Sequence, residues 1–208
     1  MKTNKQNTKT TKKLKQQKKQ NQTKDRHNQN IIDSLDEGHM IKTLMEEHAH
    51  IVSMLDELTN ISNQLKGTDI KNNKELFQGA NHLILKIIGA EPHHQREERV
   101  LFPALEKLGI TGPPQCMAME HDIMRTMKHD LNQKLSFDDI MAVDIDEIKD
   151  LIEKLCDTLR NHIHKEDTIL FPLALQSINN DSQWIDMRVQ CDEIGYCCFC
   201  PKLTKNES

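Results

Sequence analysis

The sequence predicts an all-α protein: an up-down-up-down four-helix bundle over residues 38–178, a disordered basic tail over 1–30 before it, and a short cysteine-rich extension over 181–208 after it. Two observations carry this. Aromatic residues make up 3% of the chain, with 7 Gly and 6 Pro in 208 residues, too few for the turn-punctuated strands that sandwiches, barrels and wound sheets require. Apolar residues instead recur at intervals of three and four, the spacing of one helix face.

The tail carries ten basic residues against a single acid, Asp25, for a charge of +9, and Leu14 is its only aliphatic side chain after Met1. Such a stretch cannot bury enough surface to offset its ordering entropy. An anionic partner would suit it, although it has no aromatic residues for stacking on nucleic-acid bases. Since the whole chain is −4, the remaining 178 residues carry −13. No run of about 18 apolar residues occurs and no apolar stretch follows the N-terminal lysines, so neither a membrane span nor a secretory signal is expected. A cytoplasmic protein with reduced or metal-bound thiols is the expectation.

The first helix reads through Ile41, Leu44, Met45, His48, Ile51, Val52, Leu55 and Leu58 and stops at Lys66-Gly67. A second stripe runs from Leu76 to Leu108, with Gly89 and Pro92 as a break or kink. The third helix starts at Gly112-Pro113-Pro114 and shows Met117, His121, Met124, Met127 and Leu131. The fourth follows Ser136 and shows Ile148, Ile152, Leu155, Leu159, His162, Glu166 and Ile169.

Chemistry resides in a repeat. His93 to Pro103 aligns without gaps to His162 to Pro172, both reading His-x-x-x-Glu-x-x-(Val/Ile)-Leu-Phe-Pro. Histidine and glutamate one turn apart can face a single point in a helical core. On the fourth helix His162 and Glu166 fall within the apolar stripe, while His164 points away. On the second, periodicity alone would favour His94, and alignment to the fourth helix selects His93 and Glu97. His48 lies within the first stripe with His50 opposite, and His121 lies at the edge of the third. Each helix thus offers one inward histidine, and two add a glutamate. Burying six such groups is expensive without a cation. Imidazole with carboxylate favours iron or manganese, whereas structural zinc prefers thiolates, and two bridging-capable carboxylates imply two metals. A ferritin-like Glu-x-x-His reading finds only Glu47 and His50, which are expected to face away from the core.

These residues resemble the hemerythrin-like, His-His-Glu cation-binding family. The resemblance runs from about Ile41 to Leu175 and rests on Leu44 to His48, the doubled motif, and Glu120-His121-Asp122. It implies a non-haem di-iron centre held by His48, His93, Glu97, His121, His162 and Glu166, the glutamates bridging; manganese or zinc could stand in place of iron. It implies as ligand a small diatomic, oxygen or nitric oxide, or peroxide, and as roles oxygen binding, sensing in redox or nitrosative stress, or iron–sulfur cluster repair. The oxygen carriers have a second histidine where this chain has Arg125, and an aspartate five residues after the last histidine where this chain has Glu166 four residues on. One imidazole fewer leaves an extra open position, which favours reaction or sensing over carriage. The alternatives are an enzyme that reduces nitric oxide or peroxide or repairs clusters, and an interaction bundle with zinc or no metal.

Pro103 and Pro172, six residues after each glutamate, each remove a helix hydrogen bond and are expected to bend the helices near the site, or to pack its end. Cys191, Cys197, Cys198 and Cys200 read as part of a small flap over one end of the bundle, packed with Trp184, Tyr196 and Phe199, with a zinc, cluster or redox role as the alternative. Cys116 and Cys156 read as ordinary helix residues.

Overall fold

A computed structural model describes Ile32, residues 34–65, 73–136 and 144–197, and Phe199. The lysine-rich tail expected over 1–30 lies outside the described residues, as do Lys66-Gly67, Cys198, Cys200 and 201–208. Among the described residues every regular element is helical, and no helix is long and apolar enough to cross a membrane. The chain divides into two compact units, Met1–Glu37 and Gly38–Ser208. In the first, Leu35 N–H donates to the Ile32 carbonyl at 3.0 Å. The rest of the description concerns the second.

Helix α1 spans Met40–Gln64, and the His39 ring caps it by accepting from Ile41 N–H at 3.2 Å. Its buried face runs through Ile41, Leu44, His48, Ile51, Leu55 and Leu58. Helix α2 spans Lys74–Ile88, with Glu75 in its first turn and Lys86 in its last, charges that complement the helix dipole. The chain breaks at Gly89 and Ala90 and resumes as α3, Glu91–Arg96, with Pro92 in the first turn, where a missing N–H costs nothing. A wide π-helical turn, π1 (Glu97–Leu101), leads into α4, Phe102–Lys107. Gly109, at φ +82, ends this stretch.

Helix α5 spans Gly112–Leu135. Helix α6 spans Ile145–Lys165, capped by Asp144, which accepts from Asp146 N–H at 2.9 Å. It continues through a second wide turn, π2 (Glu166–Leu170), into α7, Phe171–Ser177. Helix α8, Asp181–Ile194, follows and stops at Gly195, φ +94. Helices α1 and α5 each pack on both α2 and α6, and α8 lies against α1, α3 and π1. The apolar core gathers Leu55, Leu58, Ile84, Met124, Ile148 and Leu155 among others.

The bend expected at the prolines takes a defined form. Pro103 and Pro172 have no N–H to return to the preceding turn, and the residue before each reaches back five positions instead. Phe102 N–H bonds Glu97 O, and Phe171 N–H bonds Glu166 O. Both wide turns therefore begin at the motif glutamate, a placement common for π-bulges at functional sites.

Candidate metal centre

All six residues expected from the sequence are buried, none more than 3% exposed, and they converge. His48 from α1 and His93 from α3 bring their Nε2 atoms within 3.0 Å. His121 from α5 and His162 from α6 do the same, also at 3.0 Å. The two glutamates lie between these pairs. Glu97 Oε2 is 3.6 Å from His93 and 3.5 Å from His121. Glu166 reaches His48 through Oε2 at 3.3 Å and His162 through Oε1 at 3.1 Å. Donor atoms of His48, His93, Glu97 and Glu166 all lie within 4.8 Å of one another.

Each histidine is held from behind by a carboxylate. His48 Nδ1 donates to Asp167 at 2.8 Å, His93 Nδ1 to Glu47 at 2.8 Å, His121 Nδ1 to Glu98 at 2.7 Å, and His162 Nδ1 to Glu120 at 2.9 Å. An ionised carboxylate can only accept, so these contacts put the proton on Nδ1 and aim the Nε2 lone pair inward, as in metal-binding histidines. The pattern is twofold: the carboxylates just before His48 and His121 serve His93 and His162, and those just after Glu97 and Glu166 serve His121 and His48. A cation from the repeat backs each of the first kind. Arg96 Nη2 donates to Glu47 at 2.6 Å, and Lys165 Nζ donates to Glu120. Phe102 stacks on His121, and Phe171 on His48, at centroid distances of 5.8 and 5.5 Å.

The electrostatics report a site built for positive charge. Both carboxylate oxygens of Glu97 and both of Glu166 are buried without a hydrogen-bond partner, and an unpaired buried carboxylate costs on the order of several kcal/mol. Burial and the facing charge of Glu166 push Glu97 well above the usual carboxylate range. Burial would raise Glu166 too, but the proximity of His121 and His162 holds it well below. Burial would lower His48, yet Asp167 and Glu166 raise it to about 9. Burial outweighs Glu47 at His93 and takes that ring down to about 4. Two inward lone pairs at 3.0 Å repel unless a proton or a metal ion stands between them.

Sequence reasoning missed several residues. Glu47, expected to face away from the core, is fully buried; Arg96 and His93, from another helix, supply the partners that make this tolerable. Burial would raise its carboxyl, but those partners bring it to about 2. His94 is buried alongside His93, its ring stacked 4.0 Å from that of His121. Burial, with the charges of His121 and Lys128, keeps His94 well below the usual imidazole range. Lys128, two turns after His121, is 3% exposed and is lowered by burial to about 8. The signal for the supporting carboxylates is present in the sequence: Glu-His occurs at 47–48 and 120–121, and in the repeat an acid follows each motif glutamate. His50 and His164 are exposed, as their helical phase predicts.

The flap over one end also has contacts. Tyr196 lies over the Arg96 guanidinium at 4.7 Å, Cys197 N–H donates to Glu47 at 3.4 Å, and the Trp184 ring meets His39 at a tilt, centroids 4.6 Å apart. Cys116, Cys156, Cys191 and Cys197 are free thiols.

No curated protein shows significant similarity to the chain. Residues 39–174 match the family model described as Hemerythrin HHE cation binding domain, a stretch holding every residue of the centre. The chain belongs to the hemerythrin HHE cation-binding domain family.

Proposed function

We propose that this chain is a non-haem di-iron protein that binds, senses or reacts with oxygen, peroxide or nitric oxide. His48, His93, Glu97, His121, His162 and Glu166 hold the two irons, both glutamates bridging, within an up-down-up-down four-helix bundle. The observation that carries this reading is the set of four unpartnered glutamate oxygens buried between two imidazole pairs. Imidazole and carboxylate with no thiolate suit iron or manganese better than structural zinc.

When bound, a ferrous pair supplies electrons and an open position to a small oxidant. The chain's own residues prepare that chemistry. Asp167, Glu47, Glu98 and Glu120 fix the histidine tautomers, so no ring must reorient to bind. Phe102, Phe171 and Met124 exclude water, which strengthens every charge interaction inside. Burial and the facing charge of Glu166 favour the neutral form of Glu97, and a bound cation would favour the ionised form.

Visible spectra of the reduced, iron-loaded protein exposed in turn to air, peroxide and nitric oxide test this. New absorption bands with at least one of them are expected, absent in Glu97→Ala. A loaded protein whose spectrum none of the three changes would contradict it. Consumption of an external reductant would then separate an enzyme from a binding protein.

A further inference from the structure

We infer that Tyr196 and Cys197 are positioning residues of the metal centre: they hold the Arg96–Glu47 pair that orients His93, and so shield one of the four supporting contacts from solvent. This rests on the di-iron reading above. The carboxylates behind His48, His121 and His162 are 23–28% exposed, whereas Glu47 behind His93 is fully buried. Glu47 takes three donors: His93 Nδ1 at 2.8 Å, Arg96 Nη2 at 2.6 Å and Cys197 N–H at 3.4 Å. Gly195, at φ +94, ends α8, and the next residue lays its ring against the Arg96 guanidinium at 4.7 Å, an attraction that grows as water is excluded. The segment is tied at both sides. Tyr196 Oη donates to Asp192 at 2.5 Å on α8, and Cys197 Sγ donates to the Ala90 carbonyl at 3.7 Å, just before α3.

The repeat supplies the contrast. Arg96 corresponds to Lys165, and among the described residues no aromatic ring covers that ammonium. A planar guanidinium stacks on a ring as a compact ammonium does not. Water can therefore compete at Glu120 for the contact to His162, while at Glu47 it is kept out and the charge-assisted hydrogen bonds are strengthened. Tyr196 touches no candidate ligand, and its effect reaches the metal through Arg96, Glu47 and His93 in turn.

The test loads the full chain with cobalt(II), which moves the proton signals of bound imidazoles clear of the rest of the NMR spectrum. The wild type should bind two ions, and the ring N–H of His93 should be the slowest of the shifted N–H signals to exchange with heavy water. In Tyr196→Leu, which uncovers Arg96, that signal alone should speed up, and one of the two ions should bind about tenfold more weakly. Tyr196→Phe keeps a ring on the guanidinium and should restore both properties. Gly195→Ala strains the turn although its new Cβ meets nothing within 4 Å, and it should speed the same signal. Unchanged exchange and affinity in Tyr196→Leu and Gly195→Ala would overturn the inference while leaving the two-metal centre standing. Faster exchange of all the signals together, the mark of a loosened fold, would overturn it too. A wild type that binds no pair of ions would overturn the di-iron reading itself.

Discussion

On one side of the centre Glu47 and Arg96 are 0% and 1% exposed, shut beneath Tyr196 and Cys197; on the other, the matching Glu120 and Lys165 are 23% and 36% exposed. The inner parts are alike: in each half a histidine, a glutamate, a supporting acid and a stacked phenylalanine occupy corresponding positions. The repeat thus gives each half a matching histidine, glutamate, supporting acid and phenylalanine, and the segment after α7, which is not part of the repeat, distinguishes the halves. One flank is sealed by Arg96 and the flap, while the Glu120–Lys165 flank faces solvent.

The comparison breaks most completely at the glutamates the halves share. Glu97→Ala or Glu166→Ala removes a carboxylate reaching both imidazole pairs, so metal analysis should find bound iron falling from near two per chain to below one. His50→Ala and His164→Ala, on exposed faces, should leave it unchanged. Equal losses in all four variants would mean that the faces are assigned wrongly.

The sealed and open flanks should differ next. Arg96→Met strands a buried carboxylate on Glu47 and should cost about 3–5 kcal/mol in urea unfolding, the range for breaking a buried pair. Lys165→Met removes the partner of a solvent-facing acid and should cost less than about 1 kcal/mol. Similar losses would show that the flap does not seal its side.

Protons sharpen the contrast further. His48 is raised to about 9, so in metal-free protein it is charged at neutral pH and must lose that proton to bind metal. Metal uptake should release protons and weaken about tenfold per proton displaced for each pH unit below about 9. In the metal-free fold the same shift has the opposite sense: its stabilisation is complete below pH 6.5 and lost as pH rises through about 9. Calorimetry in buffers of different ionisation enthalpy counts the protons, and a pH-independent affinity would refute the assignment.

A smaller effect is expected at Lys128, whose burial lowers it from 10.5 to about 8. Its buried charge destabilises the fold fully below pH 8, and the penalty fades toward pH 10.5. Lys128→Met should therefore raise stability by about 1–3 kcal/mol at pH 7, with the gain shrinking above pH 8 in unfolding curves.

Much of this was legible in the sequence because the convergent histidines and glutamates obey helical phase and recur. His162, Glu166 and His48 fall on apolar stripes, and the gapless repeat selects His93 where phase alone favours His94. In the fold both histidines are buried, His93 against His48 and His94 against His121. Glu47 was misread because its burial depends on Arg96 and His93, nearly fifty residues away in sequence; periodicity within one helix cannot register partners on another. The π turns were half visible: the prolines announce a lost hydrogen bond, but only the fold shows the glutamate carbonyl taking up the N–H of the residue before each proline. The flap's grip on Arg96 through Tyr196 left no periodic signature.

The central claim is that two imidazole pairs and two shared glutamates form a single seat for two irons. Quantitative metal analysis of the full chain purified from iron-replete cells measures it directly. Close to two irons per chain are expected, and one zinc or no bound metal would contradict a di-iron seat.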